Sequence, residues 1–479
     1  MNHPAFDLRR RTKIVCTIGP ASGSHSMIER MIKAGMNVAR LNLSHGDGTQ
    51  HAVYFSAIRS ISEKTGLPVA ILMDTPGPKY RVGELKSGQA VLKKGAEFVL
   101  TTRRVDGDEK ESSVNLPNLP HDVKPRDLVL VDDGAIQLRV REVSGSDVRC
   151  VVLVGGVLKP RKGITVPGMR RSAPFLTDET AAALKFAARQ KPDFIALSFV
   201  TGPDDVVQAR EYLTRLGAAI SLISKIETRH AVADFDRILQ ASDGIMVARG
   251  DMGVELPLPK VPLVQKDIIR KCNKAGKPVI TATQMLESMI SSPRPTRAEV
   301  ADVANAIFDG TDAVMLSAET SVGRYPLQAI RMMVQIARET DPALPYTRIL
   351  HDKDDVKRPQ TDDAISFDAC HTAYQLRAKA IIAFTQSGST AMRVSRYRPK
   401  APVLAITTVE AVRHRLALSW GVYAFDVPEP QTVDDLFQRA ADLSKEVGVA
   451  RKGDLVVVTA GIPISIPGST NLLKVVQIG

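Results

Sequence analysis

The sequence predicts an α/β protein built on a TIM (β/α)8 barrel, with a small β domain inserted after the third strand and a second α/β domain behind it. Three observations carry this. Eight short apolar runs alternate with helical patterns, and most end on polar or charged residues. The rhythm breaks once, over 76–167, where β-type runs and turn residues replace helices. Past a hinge-like stretch, Asp341-Pro342 and Leu344-Pro345, a new α/β pattern begins. The expected divisions are therefore 1–75 with 168–343 for the barrel, 76–167 for the insert and 344–479 for the last domain.

In order, Lys13–Ile18 reads as a strand ending in Gly19-Pro20, and Ser26–Ala34 as a helix stopped by Gly35. Asn37–Leu41 is the second strand and runs into Asn42, Ser44, His45 and Gly46. A helix to about Glu63 is broken by Gly66 and Pro68, and Val69–Met73 then ends on Asp74-Thr75. In the insert, Ala96–Thr101, Leu128–Val131, Ile136–Val143 and Val148–Val154 read as strands, with no helix of useful length. The barrel rhythm resumes with helix Glu179–Arg189 and strand Asp193–Phe199. Strands Ile220–Lys225 and Gly244–Ala248 flank one amphipathic segment. Val279–Thr283 follows a helix stopped by Gly276, and Thr296 with Glu299 forms a capping box before the last strand, Ala313–Leu316. The final domain reads as helix Asp363–Leu376, strands at 380–384, 403–407 and 422–425, helix Val433–Glu446, and strands at 454–459 and 472–476.

Composition excludes several classes. Hydrophobic residues make up 44% and charged residues 24%, ordinary for a soluble globular chain. No apolar run approaches the ~18 residues of a membrane span, and the basic amino terminus lacks the apolar core of a secretory signal, so no membrane role is expected. Cys16, Cys150, Cys272 and Cys370 are far apart and suit a reducing, cytoplasmic setting. The net charge of +12 invites a nucleic-acid reading, but the cations are dispersed, aromatics are only 5%, and no recognition motif is present. No nucleic-acid partner is expected; a basic field around a small anionic substrate fits better.

The polar residues fall at the strand ends, which a parallel barrel gathers on one face. Arg40, Asn42, Ser44 and His45 come from the second strand, Asp74 and Thr75 from the third, Lys225 and Glu227 from the fifth. Arg249 and Asp251 follow the sixth, Thr283 ends the seventh, and Ser317 and Glu319 follow the eighth. Desolvating so many charges is unfavourable unless a ligand uses them. Glu227 and Asp251 suit a hard cation, Arg40 a phosphate, and Lys225 a transferring phosphoryl group or an enolate. The backbone from Gly250 to Gly253 offers N–H groups to a carboxylate. No GxxxxGK[ST] loop is present, so a nucleotide would not be held in that manner.

Several stretches carry a family resemblance: NVARLNLSHG, MDTPGPKYR, VDDGAIQLRV, RKGITVPG, SKIET, MVARGDMGVELP, TATQMLESM, SPRPTRAEVADVANAIFDGTDAVMLSAETSVGRYP and GSTNLLKV. Together they resemble pyruvate kinases over nearly the whole chain. The resemblance implies a catalytic barrel, a β-barrel lid, a C-terminal α/β regulatory domain and a homotetramer. It implies phosphoryl transfer from phosphoenolpyruvate to ADP in glycolysis, with Mg2+ or Mn2+ on Glu227 and Asp251. By the same resemblance Lys225 stabilises the phosphoryl group and the enolate, with Arg40 and Arg81 on the phosphoryl group. Thr283 assists protonation at carbon, with Ser317 in the same neighbourhood. Pro20, His45, Asp133 and Lys162 match positions near the nucleotide.

Two departures matter. A lysine frequent in the family is replaced by Pro76, and Lys79 stands where a glutamate accompanies a monovalent-cation requirement. Asn42, Ser44, Asp74 and Thr75 match the K+-holding residues of those members. A lysine ammonium could supply the missing charge, so K+ is not expected to be required. In the last domain Thr385, Ser387, Gly388, Ser389 and Thr390 follow a strand and open a helix, where hydroxyl and N–H groups suit a phosphate. The resemblance implies a sugar-phosphate effector there; Arg413, His414 and Arg415 read as a solvated helix face or as contributors to it. The competing readings are another metal-dependent barrel acting on phosphoenolpyruvate or a 2-oxo acid, and a non-catalytic sugar-phosphate sensor.

Overall fold

A computed structural model describes residues 6–352, 360–463 and 470–479. Most of the charged run from His351 to Arg358 and part of GSTNLLKV lie outside these residues. Eight parallel strands close into a barrel: β1 Lys13–Ile18, β2 Val38–Asn42, β3 Ala70–Asp74, β4 Phe194–Leu197, β5 Ser221–Ile226, β6 Gly244–Ala248, β7 Val279–Ala282 and β8 Ala313–Leu316. Their order around the barrel is β1-β8-β7-β6-β5-β4-β3-β2, so chain neighbours are spatial neighbours throughout. The strands are buried nearly end to end because helices cover one face and the packed interior the other.

The helix boundaries follow local chemistry. Ser24 caps helix His25–Ala34 by accepting the Met27 N–H, and Gly35 ends it at φ 119°, a conformation a side chain would strain. Thr296 and Glu299 form the expected reciprocal capping box. The segment between β5 and β6 differs from expectation. It is two short helices, Arg229–Ala233 and Phe235–Ala241, that break at Asp234, whose φ of −104° and ψ of 24° leave the helical region.

Compactness divides the chain into two units: Met1–Met73, Gln190–Ile195 and Ile269–Gly479 form one, and Asp74–Arg189 with Ala196–Ile268 the other. In the second, a seven-stranded sheet runs Tyr80–Arg81, Gly163–Thr165, Leu128–Val131, Ile136–Ser144, Asp147–Val154, Glu97–Thr101 and Glu111–Ser113. Phe98, Leu100, Val129, Leu138 and Val148 fill its core, the inward-facing alternation that the sequence pattern requires.

In the first unit a five-stranded sheet, ordered Val422–Phe425, Val403–Ile406, Ile381–Phe384, Leu455–Gly461 and Thr470–Gln477, is parallel except for its last strand. It joins the start of the barrel through buried polar contacts. Asp341 accepts N–H groups from Arg11 at 2.6 Å and Thr12 at 2.9 Å. Arg398 pairs with Asp312 at 3.0 Å.

One such contact corrects an expectation. His414 is not on a solvated helix face; it is buried, and its Nδ1 accepts from Arg59 at 3.0 Å. Arg59 also pairs with Asp193 at 2.8 Å and donates to the Val69 carbonyl. Burial, then the Arg59 and Arg413 charges, push His414 from 6.5 down to about 3. The folded protein therefore keeps this imidazole neutral while the unfolded chain protonates it below pH 6.5. Stability is lost as pH falls from 6.5 towards 3, by at most about 1.4 kcal/mol per pH unit. In thermal melts, His414→Gln is expected to show a shallower fall in Tm between pH 6.5 and 4.5 than wild type. Superimposable slopes would remove His414 as the source.

Candidate active site

Asp74, Lys225, Glu227 and Asp251, four of the residues expected at the strand ends, come together within the second unit. Lys225, near the end of β5, places Nζ 2.9 Å from Glu227 Oε1 and 3.3 Å from Asp74 Oδ1. It also donates to Ser198 Oγ at 2.8 Å, and that hydroxyl donates to Asp74 at 3.1 Å. Glu227 is fully buried, and its Oε2 accepts the Phe199 N–H. Asp251, in the first turn of helix Arg249–Glu255, pairs with Lys79 at 2.7 Å.

Three carboxylates thus face two ammonium groups. The consequence is visible in Glu227. Burial raises its pKa to about 7 against the pull of Lys225, with the Asp251 charge adding to the rise. For Asp251 burial also works upward, but Lys79 and Lys225 overcome it and hold the carboxyl below its usual range. A divalent cation would add positive charge beside Glu227 and favour release of its proton. Among the described residues buried Glu227 Oε1 makes no hydrogen bond of good geometry and lies 2.9 Å from the Lys225 ammonium, so it keeps acceptor capacity for such an ion. Among the described residues no three His, Cys, Asp or Glu gather to enclose a metal. Two carboxylates fit a cation that takes water and substrate oxygens as its other ligands.

Ser198 and Phe199 were not singled out by sequence reasoning. Their one signal was position, at the end of β4, where an apolar run gives way to Ser-Phe. Phe199 holds φ 57°, a strained conformation for a bulky residue, which turns its N–H onto Glu227. Its ring lies 5.2 Å from the Lys79 ammonium. Gly77 lets this approach happen: a Cβ there would sit 2.6 Å from the Ser198 carbonyl oxygen and 2.7 Å from the Phe199 ring.

Other expected residues of this unit take different partners. Thr75 donates from both N–H and hydroxyl to the Ala196 carbonyl, each at 3.0 Å. Gly250 lies inside the seven-residue helix. Arg81 sits on the edge strand of the seven-stranded sheet and donates to the Arg161 carbonyl at 3.2 Å. Lys162 pairs with Asp132 at 2.8 Å, while Asp133 is exposed in the hairpin turn at φ 52°.

In the first unit, Arg40 on β2 is buried and donates to Thr17 Oγ1 at 3.0 Å. Asn42 accepts the Ser44 N–H, and the exposed His45 offers its carbonyl to His51. Pro20 is exposed in the turn after β1. Thr283 and Gln284 hold successive positive φ values, 67° and 53°, so strain marks the end of β7. Ser317 donates its N–H to buried Glu319 at 2.7 Å, and its own hydroxyl is buried with no hydrogen-bond partner among the described residues. At the end of strand Ile381–Phe384, Thr385 Oγ1 accepts the Gly388 N–H at 2.9 Å, and Ser387 and Ser389 pair through their hydroxyls. Thr390 is turned inward, 2.7 Å from Thr470 Oγ1.

A parallel barrel with a lysine buried among carboxylates at its strand ends defines a class: barrel enzymes that stabilise negative charge on an anionic substrate. Family models place it more narrowly. Residues 9–330 match the pyruvate kinase barrel domain, and residues 363–476 the pyruvate kinase alpha/beta domain. A pyruvate kinase of Geobacillus stearothermophilus is 49% identical over 471 residues, 98% of this chain and 80% of that protein. Those of Staphylococcus haemolyticus and Staphylococcus aureus are each 45% identical, over 98% of this chain and 81% of theirs. The chain belongs to the pyruvate kinase family. It is a phosphotransferase that acts on phosphoenolpyruvate and ADP.

Proposed function

We propose that this enzyme carries out the reaction with Mg2+ held by Glu227 and Asp251, and without a monovalent cation, because Lys79 supplies that charge. The observation that carries the reading is the Lys79–Asp251 contact of 2.7 Å, made by a side chain that is only 14% exposed. Lys79 therefore adds its charge to the acidic cluster rather than to solvent. In the forward reaction an oxygen of the ADP β-phosphate bonds to the phosphorus of phosphoenolpyruvate. The bond from phosphorus to the enol oxygen breaks, leaving an enolate that takes a proton at carbon. When bound, Mg2+ neutralises charge on the transferring group and fixes its orientation.

The protein's part is positional and electrostatic. Lys225, fixed by Glu227, Asp74 and Ser198, presents a preorganised cation where the enolate and phosphoryl charges develop. The family resemblance supports Arg40 and Arg81 as phosphoryl contacts, the backbone at Gly250 for the substrate carboxylate, and Thr283 with Ser317 for protonation at carbon. It likewise supports nucleotide contacts at Pro20, His45, Asp133 and Lys162. Closure of the lid would exclude the water that competes for the phosphoryl group. The resemblance also supports a homotetramer and a sugar phosphate on the loop Thr385 to Thr390. Gly388 at φ 90° and the exposed hydroxyls of that loop are compatible with a phosphate.

Pyruvate formation from phosphoenolpyruvate and ADP tests the cation assignment. Chelating divalent metal is expected to abolish turnover, and replacing K+ with a bulky organic cation at equal ionic strength to leave it within about twofold. A several-hundred-fold loss on omitting K+ would overturn the role given to Lys79.

A further inference from the structure

A hollow of about 750 Å3 lies in the first unit, lined by the end of helix Thr361–Gln375, the turn Pro399 to Pro402 and Arg11. We infer that this hollow is a second anion-binding site, built for a small organic phosphate or polyphosphate. It does not depend on the reading of the active site, and none of the residues Thr385 to Thr390 lines it.

Four cationic side chains surround the hollow, Arg11, Arg377, Lys379 and Lys400, and among the described residues no carboxylate lines it. Among the described residues Arg377 and Lys400 make no ion pair, and the acid facing Lys379, Asp454, stands off at 3.7 Å with Lys379 half exposed. Arg11 donates to the Lys400 carbonyl at 3.0 Å and through Nη1 to the Leu8 carbonyl and the Tyr423 hydroxyl, while its Nε is buried without a hydrogen-bond partner among the described residues. The carbonyl end of helix Thr361–Gln375 favours nearby positive charge, which accounts for Arg377. It does not account for Arg11 and Lys400, which arrive from distant parts of the chain.

Arg377 itself stands at φ 53°, just past the helix end, where glycine is the unstrained choice. The remaining walls are largely alanine and proline, which leave space and offer no competing anion. The volume is that of a small-molecule site, larger than a bare phosphate, and Tyr374 gives an organic body an aromatic wall. A bound polyanion would relieve the repulsion among the four cations. It would also tie the turn before the strand Val403–Ile406 to Arg11, whose N–H holds Asp341 beside the start of the barrel.

Pyridoxal 5′-phosphate is a suitable probe, being a phosphate-bearing aldehyde. A lysine amine attacks its aldehyde carbon, water leaves as the imine forms, and added borohydride delivers hydride to give a stable secondary amine. Peptide mapping of the full-length protein then reads each lysine separately. Lys379 or Lys400 is expected to be labelled at least about fivefold more than Lys64, an exposed lysine of the same unit. Inorganic pyrophosphate should suppress that excess, Arg377→Glu should remove it, and pyridoxal without its phosphate should not show it. Labelling of Lys379 and Lys400 at the level of Lys64, or an excess that pyrophosphate leaves unchanged, would overturn the site.

Discussion

Replacing Lys225 with methionine is expected to lower kcat by about 1,000-fold or more, with the fold retained. Methionine keeps the length and much of the packing of the lysine stem but removes the ammonium that touches Glu227, Asp74 and Ser198. Two effects act together. The charge proposed to stabilise the enolate and the phosphoryl group in the transition state disappears. Glu227, already pushed up to about 7 by burial, loses the cation that pulls it down and rises further, so it holds divalent metal less well. Steady-state kinetics across a range of Mg2+ concentrations separates the two. A loss of kcat that saturating metal cannot recover belongs to the missing ammonium. Turnover within tenfold of wild type would remove Lys225 from the chemistry.

The second large effect is expected at Lys79. Changing it to glutamate replaces a cation 2.7 Å from Asp251 with a carboxylate facing a carboxylate. A unit charge at about 4 Å is worth roughly 4 kcal/mol at an effective dielectric near 20, so reversing this one is a large perturbation. In K+-free buffer turnover of the Lys79→Glu enzyme should fall by about 100-fold or more, and added K+ should restore most of the loss by filling the new anionic site. Wild type under the same titration should respond little. A variant that K+ fails to rescue would show that Lys79 does something other than supply charge.

Much of this protein was legible in its sequence because two signals are local. Eight apolar runs of strand length, separated by helical periods and stopped by glycine and proline, specify a parallel barrel that the structure closes with no strand missing. Caps such as Thr296 with Glu299 are equally local, each needing only a few residues to satisfy a helix end. Lys225, Glu227 and Asp251 were visible because a barrel strand delivers its last residues to one face whatever the rest of the chain does.

Only tertiary structure decided which charges meet. The sequence offered Lys79 as a charge that could stand in for K+ but not its partner; in the structure its ammonium is on Asp251, 172 residues away in the chain. It placed Lys162 and Asp133 near one ligand, and the fold pairs Lys162 with Asp132. It read His414 as part of a solvated face, and the fold buries it against Arg59. Ser198 and Phe199 were unremarked because their roles depend on a hydroxyl and a strained N–H aimed at carboxylates from other strands. The reason is common to all four. Strand, helix and cap are decided by energies within a few residues, whereas an ion pair depends on an orientation in space that a linear pattern does not contain.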